Sequence, residues 1–96
     1  MLIAGIQTDV VFRDLEANLN TLEVHLRAEV AAGTQLTVFP ECFTAGYCFD
    51  ALDEAFSWAE AVPGPTTARV EKLCRELKTF VVYGMLEKSG RDLFNT

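Results

Sequence analysis

Apolar residues follow two kinds of pattern along this chain. Nearly unbroken apolar runs occupy residues 2–8, 35–39 and 79–86, as is typical of strands that are covered on both faces. Between the first two runs, Leu15, Leu19, Leu22, Leu26 and Val30 recur at spacings of three and four, which predicts a helix over residues 14–32. Gly33 is the expected stop, because glycine readily takes the left-handed conformation beyond a helix end.

The second half of the chain predicts four further elements. They are a short helix over 51–61, a helix capped by Thr66 or Thr67 that ends near Lys78, a turn over 88–91 and a strand over 92–96. The order β-α-β-α-α-β-β indicates an α/β fold, with a parallel sheet joined by right-handed crossovers and extended by a hairpin. No linker or repeat divides the 96 residues, so a single small domain is expected.

Composition excludes several classes of function. Half of the residues are hydrophobic, which favours a packed domain over disorder, and the net charge of -6 disfavours binding to nucleic acid. The N-terminal run has no basic leader, and no stretch is long enough to cross a membrane. We therefore expect a soluble, cytoplasmic protein with no membrane partner.

The cysteines and the histidine do not suggest a metal site. Cys42, Cys48 and Cys74 are odd in number and form no CxxC pair, so reduced thiols are expected rather than disulfides or a zinc centre. We interpret all three as small buried hydrophobic residues. His25 falls within the first predicted helix. A place on the surface of that flanking helix is a simpler role for it than metal ligation.

Glu41 is the main candidate for chemistry. The apolar strand stops at Pro40 and delivers this carboxylate at its C-terminal end, where open α/β sheets bind their ligands. Flanking aromatic residues, Phe39, Phe43 and Tyr47, could exclude water and make it a general acid or base. The alternative is a solvated loop acid. We interpret Glu54 and Glu60 as solvated helix residues.

Cys42, which follows Glu41 directly, is a weak candidate for a nucleophile. If the extended conformation persists, consecutive side chains point to opposite sides, and no histidine lies near to activate the thiol.

The glycines match neither a dinucleotide fingerprint nor a phosphate-binding loop. Nucleotide binding therefore has no support in the sequence.

Several segments together resemble the nitrilase superfamily of carbon–nitrogen hydrolases. The run Val38-Phe39-Pro40-Glu41-Cys42-Phe43-Thr44-Ala45-Gly46-Tyr47 is similar to its first signature block. The agreement extends to Ile3-Ala4-Gly5-Ile6-Gln7, to Asn18, to Val62-Pro63-Gly64-Pro65-Thr66, to Val82-Tyr83-Gly84 and to Leu93-Phe94-Asn95-Thr96. The resemblance covers the whole chain.

The resemblance implies the N-terminal part of an α-β-β-α sandwich that commonly pairs with a second copy. It also implies hydrolysis of a small-molecule amide or nitrile through a cysteine thioester or thioimidate, without a cofactor. The family uses a glutamate, a lysine and a nucleophilic cysteine. Glu41 matches the glutamate, and Tyr47 is expected either to line the substrate pocket or to be a buried packing residue.

The lysine and cysteine of the family have no counterpart among these residues. Lys72, Lys78 and Lys88 lack the motif context of the catalytic lysine, and both missing positions would fall after Thr96. The resemblance thus implies a domain over residues 1–96 that is incomplete at its C-terminus and inactive alone. The alternative is a non-catalytic α/β module that acts by binding a partner or by assembly through an open sheet edge.

Overall fold

The computed structural model describes residues 1–96 and contains three helices and five strands. In chain order these are β1 (Ile3–Gly5), α1 (Leu15–Ala31), β2 (Leu36–Val38), α2 (Leu52–Ser57), α3 (Pro65–Leu77), β3 (Phe80–Val82), β4 (Leu86–Ser89) and β5 (Asp92–Asn95). The predicted α/β class and the order of the first five elements are confirmed. No helix combines the length and the apolar character that a membrane span requires.

The strands form two separate sheets. β1, β2 and β3 make a parallel sheet in that spatial order, in which Ile3 pairs with Leu36 and Leu36 with Phe80. β4 and β5 form an antiparallel hairpin with a two-residue turn at Gly90 and Arg91. The expectation that the hairpin extends the parallel sheet is therefore wrong.

The strand predicted over residues 79–86 is broken in the middle. β3 ends at Val82 and β4 begins at Leu86, although the apolar run between them is continuous. The break falls at Gly84, whose N–H donates to the carbonyl of Pro40 and whose carbonyl accepts from the N–H of Phe43. Because these backbone groups bond to the turn after β2, they are not available to continue the strand.

One face of the parallel sheet carries the core. Side chains from α1, α3 and the segment after β2 form its buried centre, which consists of Leu19, Leu22, Leu26, Phe39, Phe43, Val70 and Leu73. Val81 of β3 packs against this cluster, whereas its neighbours Phe80 and Val82 are 69% and 53% exposed. Ile3 of β1 is also exposed. In this chain the strands are covered on one face only, because both long helices pack on the same side.

The helix termini largely follow the sequence signals. Asp14 caps α1 by accepting from the N–H of Ala17, and Gly33 has a φ of 93° just past the helix end. The predicted threonine cap of α3 is wrong, because the observed N-cap is Gly64, two or three residues before Thr66 and Thr67. Pro65 begins that helix, because proline already lacks the N–H that a first-turn residue leaves unbonded. Lys78 ends it in the left-handed conformation.

The predicted helix over 51–61 stops early, at Ser57. Beyond it the chain pairs with the hairpin: the N–H of Glu60 donates to Leu86, and the N–H of Lys88 donates to Glu60. The carboxylate of Glu60 accepts from the N–H and the hydroxyl of Thr66 at the start of α3. Glu60 is thus a half-buried helix cap, not the solvated helix residue expected from the sequence.

Asn18 ties two loops to α1. Its amide nitrogen donates to the carbonyls of Val11, at 2.8 Å, and Thr44, at 3.0 Å, and its oxygen accepts from the N–H of Val11. The side chain is almost fully buried. These bonds fix the segment after β1 and the turn after β2 against the same point of the helix.

We predict that Asn18→Ala lowers the free energy of unfolding by about 2–4 kcal/mol, because it leaves the buried carbonyl of Thr44 and both backbone groups of Val11 without their partners. Urea denaturation followed by circular dichroism measures the loss. Asn20→Ala is the matched control, since Asn20 lies two residues further along α1 and is exposed. An equal effect of the two substitutions would contradict the role assigned to Asn18.

Candidate active site

Glu41 lies in a tight turn that follows β2. The turn occupies residues 41–45, and Cys42 within it has a φ of 45°. The extended conformation therefore does not persist past Pro40. The side chain of Glu41 is exposed while that of Cys42 is buried, so the two still point to different environments.

A close backbone approach holds this turn in place. A Cβ atom built on Gly84 would lie 2.5 Å from the nitrogen of Cys42 and 2.8 Å from the Cα of Glu41. Only glycine permits such an approach without displacing one of the two chains. The same contact carries two hydrogen bonds, in which the N–H of Gly84 donates to the carbonyl of Pro40 and the N–H of Phe43 donates to the carbonyl of Gly84.

Glu41 lines a recess of about 440 Å³ at the C-terminal edge of the parallel sheet. One wall comes from the segment after β1, with Asp9 and Phe12, and the other from the turn after β2, with Gly46 and Tyr47. Packing of the ring of Phe12 against Gly46 joins the two walls, since a Cβ on Gly46 would lie 3.1 Å from that ring. The recess is thus built from the loops that Asn18 anchors.

The expected desolvation of Glu41 by its aromatic neighbours is not observed. Phe39 and Phe43 turn into the core, where their ring centroids lie 5.1 Å apart. Of the three flanking aromatic residues, only Tyr47 lines the recess with the carboxylate, and its side chain is 70% exposed. Tyr47 lines this recess and is not a buried packing residue, whereas its role in binding substrate stays a prediction.

Asn95 contacts both Glu41 and Cys42. Its amide nitrogen donates to Oε1 of Glu41 at 2.5 Å, and its oxygen accepts from the thiol of Cys42 at 3.6 Å. Sequence reasoning missed this residue as part of the site, as it missed Asp9 and Phe12. One signal in the sequence could have pointed to Asn95, because this residue lies in a segment that resembles the family. The hydrophobic pattern of the strand alone assigns it no role.

The three cysteines differ in environment. Cys42 is buried, and burial, with a smaller effect of the Glu41 charge, raises the pKa of its thiol. Burial also raises the pKa of Cys74, which is partly exposed on α3. Cys48 is exposed at the recess, so its interpretation as a buried hydrophobic residue is wrong. The loop carries Cys48 outward beyond the turn.

Neither the lysines nor any metal-binding cluster contributes to the recess. Lys72, Lys78 and Lys88 do not line it, and the ammonium group of Lys88 instead lies 5.4 Å from the ring centroid of Phe56. No group of three histidine, cysteine, aspartate or glutamate side chains is close enough together to hold a metal ion. The reactive groups at this recess are the carboxylates of Asp9 and Glu41, the thiol of Cys48 and the phenol of Tyr47.

Fold and site together define an α/β protein with a carboxylate at the C-terminal edge of a parallel sheet. The family model of the carbon–nitrogen hydrolases matches residues 2–96. The chain therefore belongs to the carbon–nitrogen hydrolase family, in agreement with the resemblance to the nitrilase superfamily.

Individual relatives agree with this assignment. A nitrilase from Pyrococcus abyssi is 30% identical over 95 residues, which are 98% of this chain and 36% of that protein. An arylacetonitrilase from Trametes versicolor is 32% identical over 108 residues, covering 95% of this chain and 34% of the relative. The chain spans about a third of the length of these curated relatives.

A solved structure shows the same fold. A CN-hydrolase superfamily protein from Xanthomonas campestris, which carries an arsenic adduct in its active site, superposes with a TM-score of 0.76 at 24% identity. The match covers 94% of this chain and 32% of that protein. The elements described above therefore form the N-terminal part of the nitrilase-type fold.

We predict that Gly84→Ala lowers the free energy of unfolding by about 1–3 kcal/mol, because the added methyl group collides with the backbone at Glu41 and Cys42. Urea denaturation measures this loss, and amide chemical shifts of residues 40–46 report the displaced turn. Gly5→Ala is the control, since nothing lies within 4 Å of a Cβ there. Unchanged shifts in the Gly84 variant would contradict the proposed contact.

Alkaline pH is expected to destabilise the fold. Burial raises the pKa of Cys42 and Cys74 above the ordinary thiol value of 9.0, so above that pH the unfolded chain binds fewer protons than the folded one. The free energy of unfolding must then fall as the pH rises. Urea midpoints measured in reductant at about pH 7 and about pH 10 test this, because that range spans thiol ionisation.

Two cysteine variants separate this effect from general alkaline damage. Cys74→Ala removes one of the two thiols whose pKa is raised and is expected to reduce the drop between the two pH values. Cys48→Ala, which changes an exposed thiol, should leave the drop unchanged. A midpoint that is independent of pH in the unsubstituted chain would refute the prediction.

Proposed function

We propose that this chain provides the proton-transferring carboxylate and part of the substrate recess of a hydrolase acting on non-peptide carbon–nitrogen bonds. The observation that carries the proposal is the position of Glu41 at the end of β2, at an open recess that it shares with Tyr47. The substrate is a small amide or nitrile, in keeping with the family and with a recess of about 440 Å³.

Glu41 has the chemistry that such a reaction needs. As general base it takes the proton from a nucleophilic thiol that attacks the substrate carbon, giving a thioester from an amide or a thioimidate from a nitrile. As general acid it returns a proton to the departing ammonia or amine of an amide substrate, or to the nitrogen of a nitrile. The exposure of its carboxylate at the recess leaves it accessible for both transfers.

The remaining two members of the Glu-Lys-Cys mechanism are not provided by this recess. No lysine lines it, and no hydrogen bond joins Cys48, the one thiol exposed there, to Glu41. Cys42 is buried with a raised pKa, which disfavours the thiolate that a nucleophile requires. The 96 residues are therefore proposed to bind substrate without turning it over.

The second candidate is a module that acts by assembly. The sheet face formed by Ile3, Phe80 and Val82 is apolar and exposed, and surfaces of this kind associate readily. Pairing with a second copy in the complete enzyme is compatible with both candidates. Binding of substrate-like ligands at the recess distinguishes them, because only the hydrolase proposal requires it.

We predict that butyramide binds at the recess with a Kd on the order of 10 mM, the affinity typical of so small a ligand. Titration followed by ¹⁵N–¹H spectra is expected to shift the backbone amides of Gly46 and Tyr47. Tyr47→Ala should weaken binding several-fold, since the ring forms part of one wall. The same preparation should release no ammonia from butyramide above background.

Leu52→Ala is the control variant, because Leu52 is 80% exposed on α2 and does not line the recess. It is expected to bind butyramide as the unsubstituted chain does. Shifts that are absent or spread over the surface would refute the hydrolase proposal and favour the module. Ammonia release that disappears in Glu41→Gln would show that the chain is active alone, contrary to our expectation.

A further inference from the structure

We propose that Asn95 is a positioning residue that holds one carboxylate oxygen of Glu41 and leaves the other to exchange protons at the recess. The inference rests on the function proposed for Glu41 and adds to it the orientation of the carboxylate. It comes from two hydrogen bonds that join the end of β5 to the turn after β2.

The first hydrogen bond distinguishes the two oxygens of Glu41. The amide nitrogen of Asn95 donates to Oε1 at 2.5 Å, whereas Oε2 accepts no hydrogen bond from the protein. A primary amide nitrogen can only donate. It therefore favours negative charge on Oε1 and leaves Oε2 as the atom that takes up and returns a proton.

The second hydrogen bond fixes the orientation of the Asn95 amide. Its oxygen accepts from the thiol of Cys42 at 3.6 Å, a normal length for a bond to sulfur. The thiol keeps its proton at neutral pH because burial raises its pKa, an effect that the Glu41 charge increases. Rotating the amide by half a turn would set its oxygen against the carboxylate and lose the bond to Glu41, and it would leave only a weak N–H···S contact at Cys42.

The backbone around Asn95 is held firmly enough to position a partner. Asn95 pairs with Leu86 in the hairpin, and the next residue, Thr96, exchanges two backbone hydrogen bonds with Met85. Gly84, immediately before Met85, contacts the backbone of Glu41 and Cys42. The donor and its acceptor thus sit on two segments that already touch, which limits their relative motion.

The Cys42 thiol thereby gains a role that is not nucleophilic. It lies beside the candidate catalytic carboxylate but is buried and engaged with Asn95. In this arrangement it acts as a fixed donor that orients Asn95. The sequence of contacts runs from Cys42 through Asn95 to Glu41, although Cys42 and Glu41 are adjacent in the chain.

The test measures the side-chain conformation of Glu41 in the 96-residue chain at neutral pH. Its Hα–Hβ scalar couplings are expected to show one dominant χ1 rotamer in the unsubstituted protein. Asn95→Leu, which has a similar size but cannot form hydrogen bonds, should convert them to averaged values. Asn95→Asp should do the same, because it sets a second carboxylate against Glu41.

Two further measurements separate positioning from a general loss of structure. Thr96→Ala removes a neighbouring side-chain hydrogen bond, to Glu87, without touching Glu41, and should keep the single rotamer. One amide proton of Asn95 should resonate downfield in the unsubstituted chain and move upfield in Glu41→Ala, with Glu41→Gln retaining part of the shift because it keeps an acceptor oxygen. The second measurement leaves Asn95 unchanged, so it remains informative even if the Asn95 variants do not fold.

Averaged couplings for Glu41 in the unsubstituted chain, or an Asn95 amide that does not respond to Glu41→Ala, would overturn the proposal. These outcomes are distinct from a failure of the proposed function. If butyramide does not bind while Glu41 keeps one rotamer, the contact stands and the hydrolase proposal fails. If butyramide binds while Glu41 is averaged, the hydrolase proposal stands and the role of Asn95 fails.

Discussion

The approach of Gly84 to the backbone of Glu41 and Cys42 is the constraint on which the site depends. It ends β3, starts the path to the hairpin and fixes the turn that carries the candidate carboxylate. A side chain at Gly84 would separate the parallel sheet from the hairpin. Asn95, which reaches Glu41 only because the hairpin lies against this turn, would then lose its acceptor.

A second constraint acts from the other side of the turn. Asn18, buried on α1, bonds to Thr44 within the turn and to Val11 in the segment after β1. The recess is therefore bounded by loops that are fixed to a helix and to a hairpin. One sheet face of this small chain is uncovered, which limits its hydrophobic packing. Buried hydrogen bonds such as those of Asn18 hold the loops of the recess in fixed positions that this packing alone would not secure.

Local sequence signals predicted much of the fold. The stripe of α1 and its Gly33 stop lie within a few residues of the helix they define, and Pro40 marks the strand end that delivers Glu41. The break in the third apolar run was not predictable, because it depends on hydrogen bonds between Gly84 and residues more than forty positions away. The contact of Asn95 with Glu41 spans 54 positions and was hidden for the same reason.

The exposure of Glu41 bears on how the proposed chemistry can work. Phe39 and Phe43, which the sequence suggested would exclude water from the carboxylate, instead fill the core. Water screens an open carboxylate and weakens its interaction with developing charge, whereas a dry site strengthens it. In the proposed mechanism, exclusion of water from the recess would therefore strengthen the action of Glu41, and this contribution is separate from the orientation that Asn95 provides.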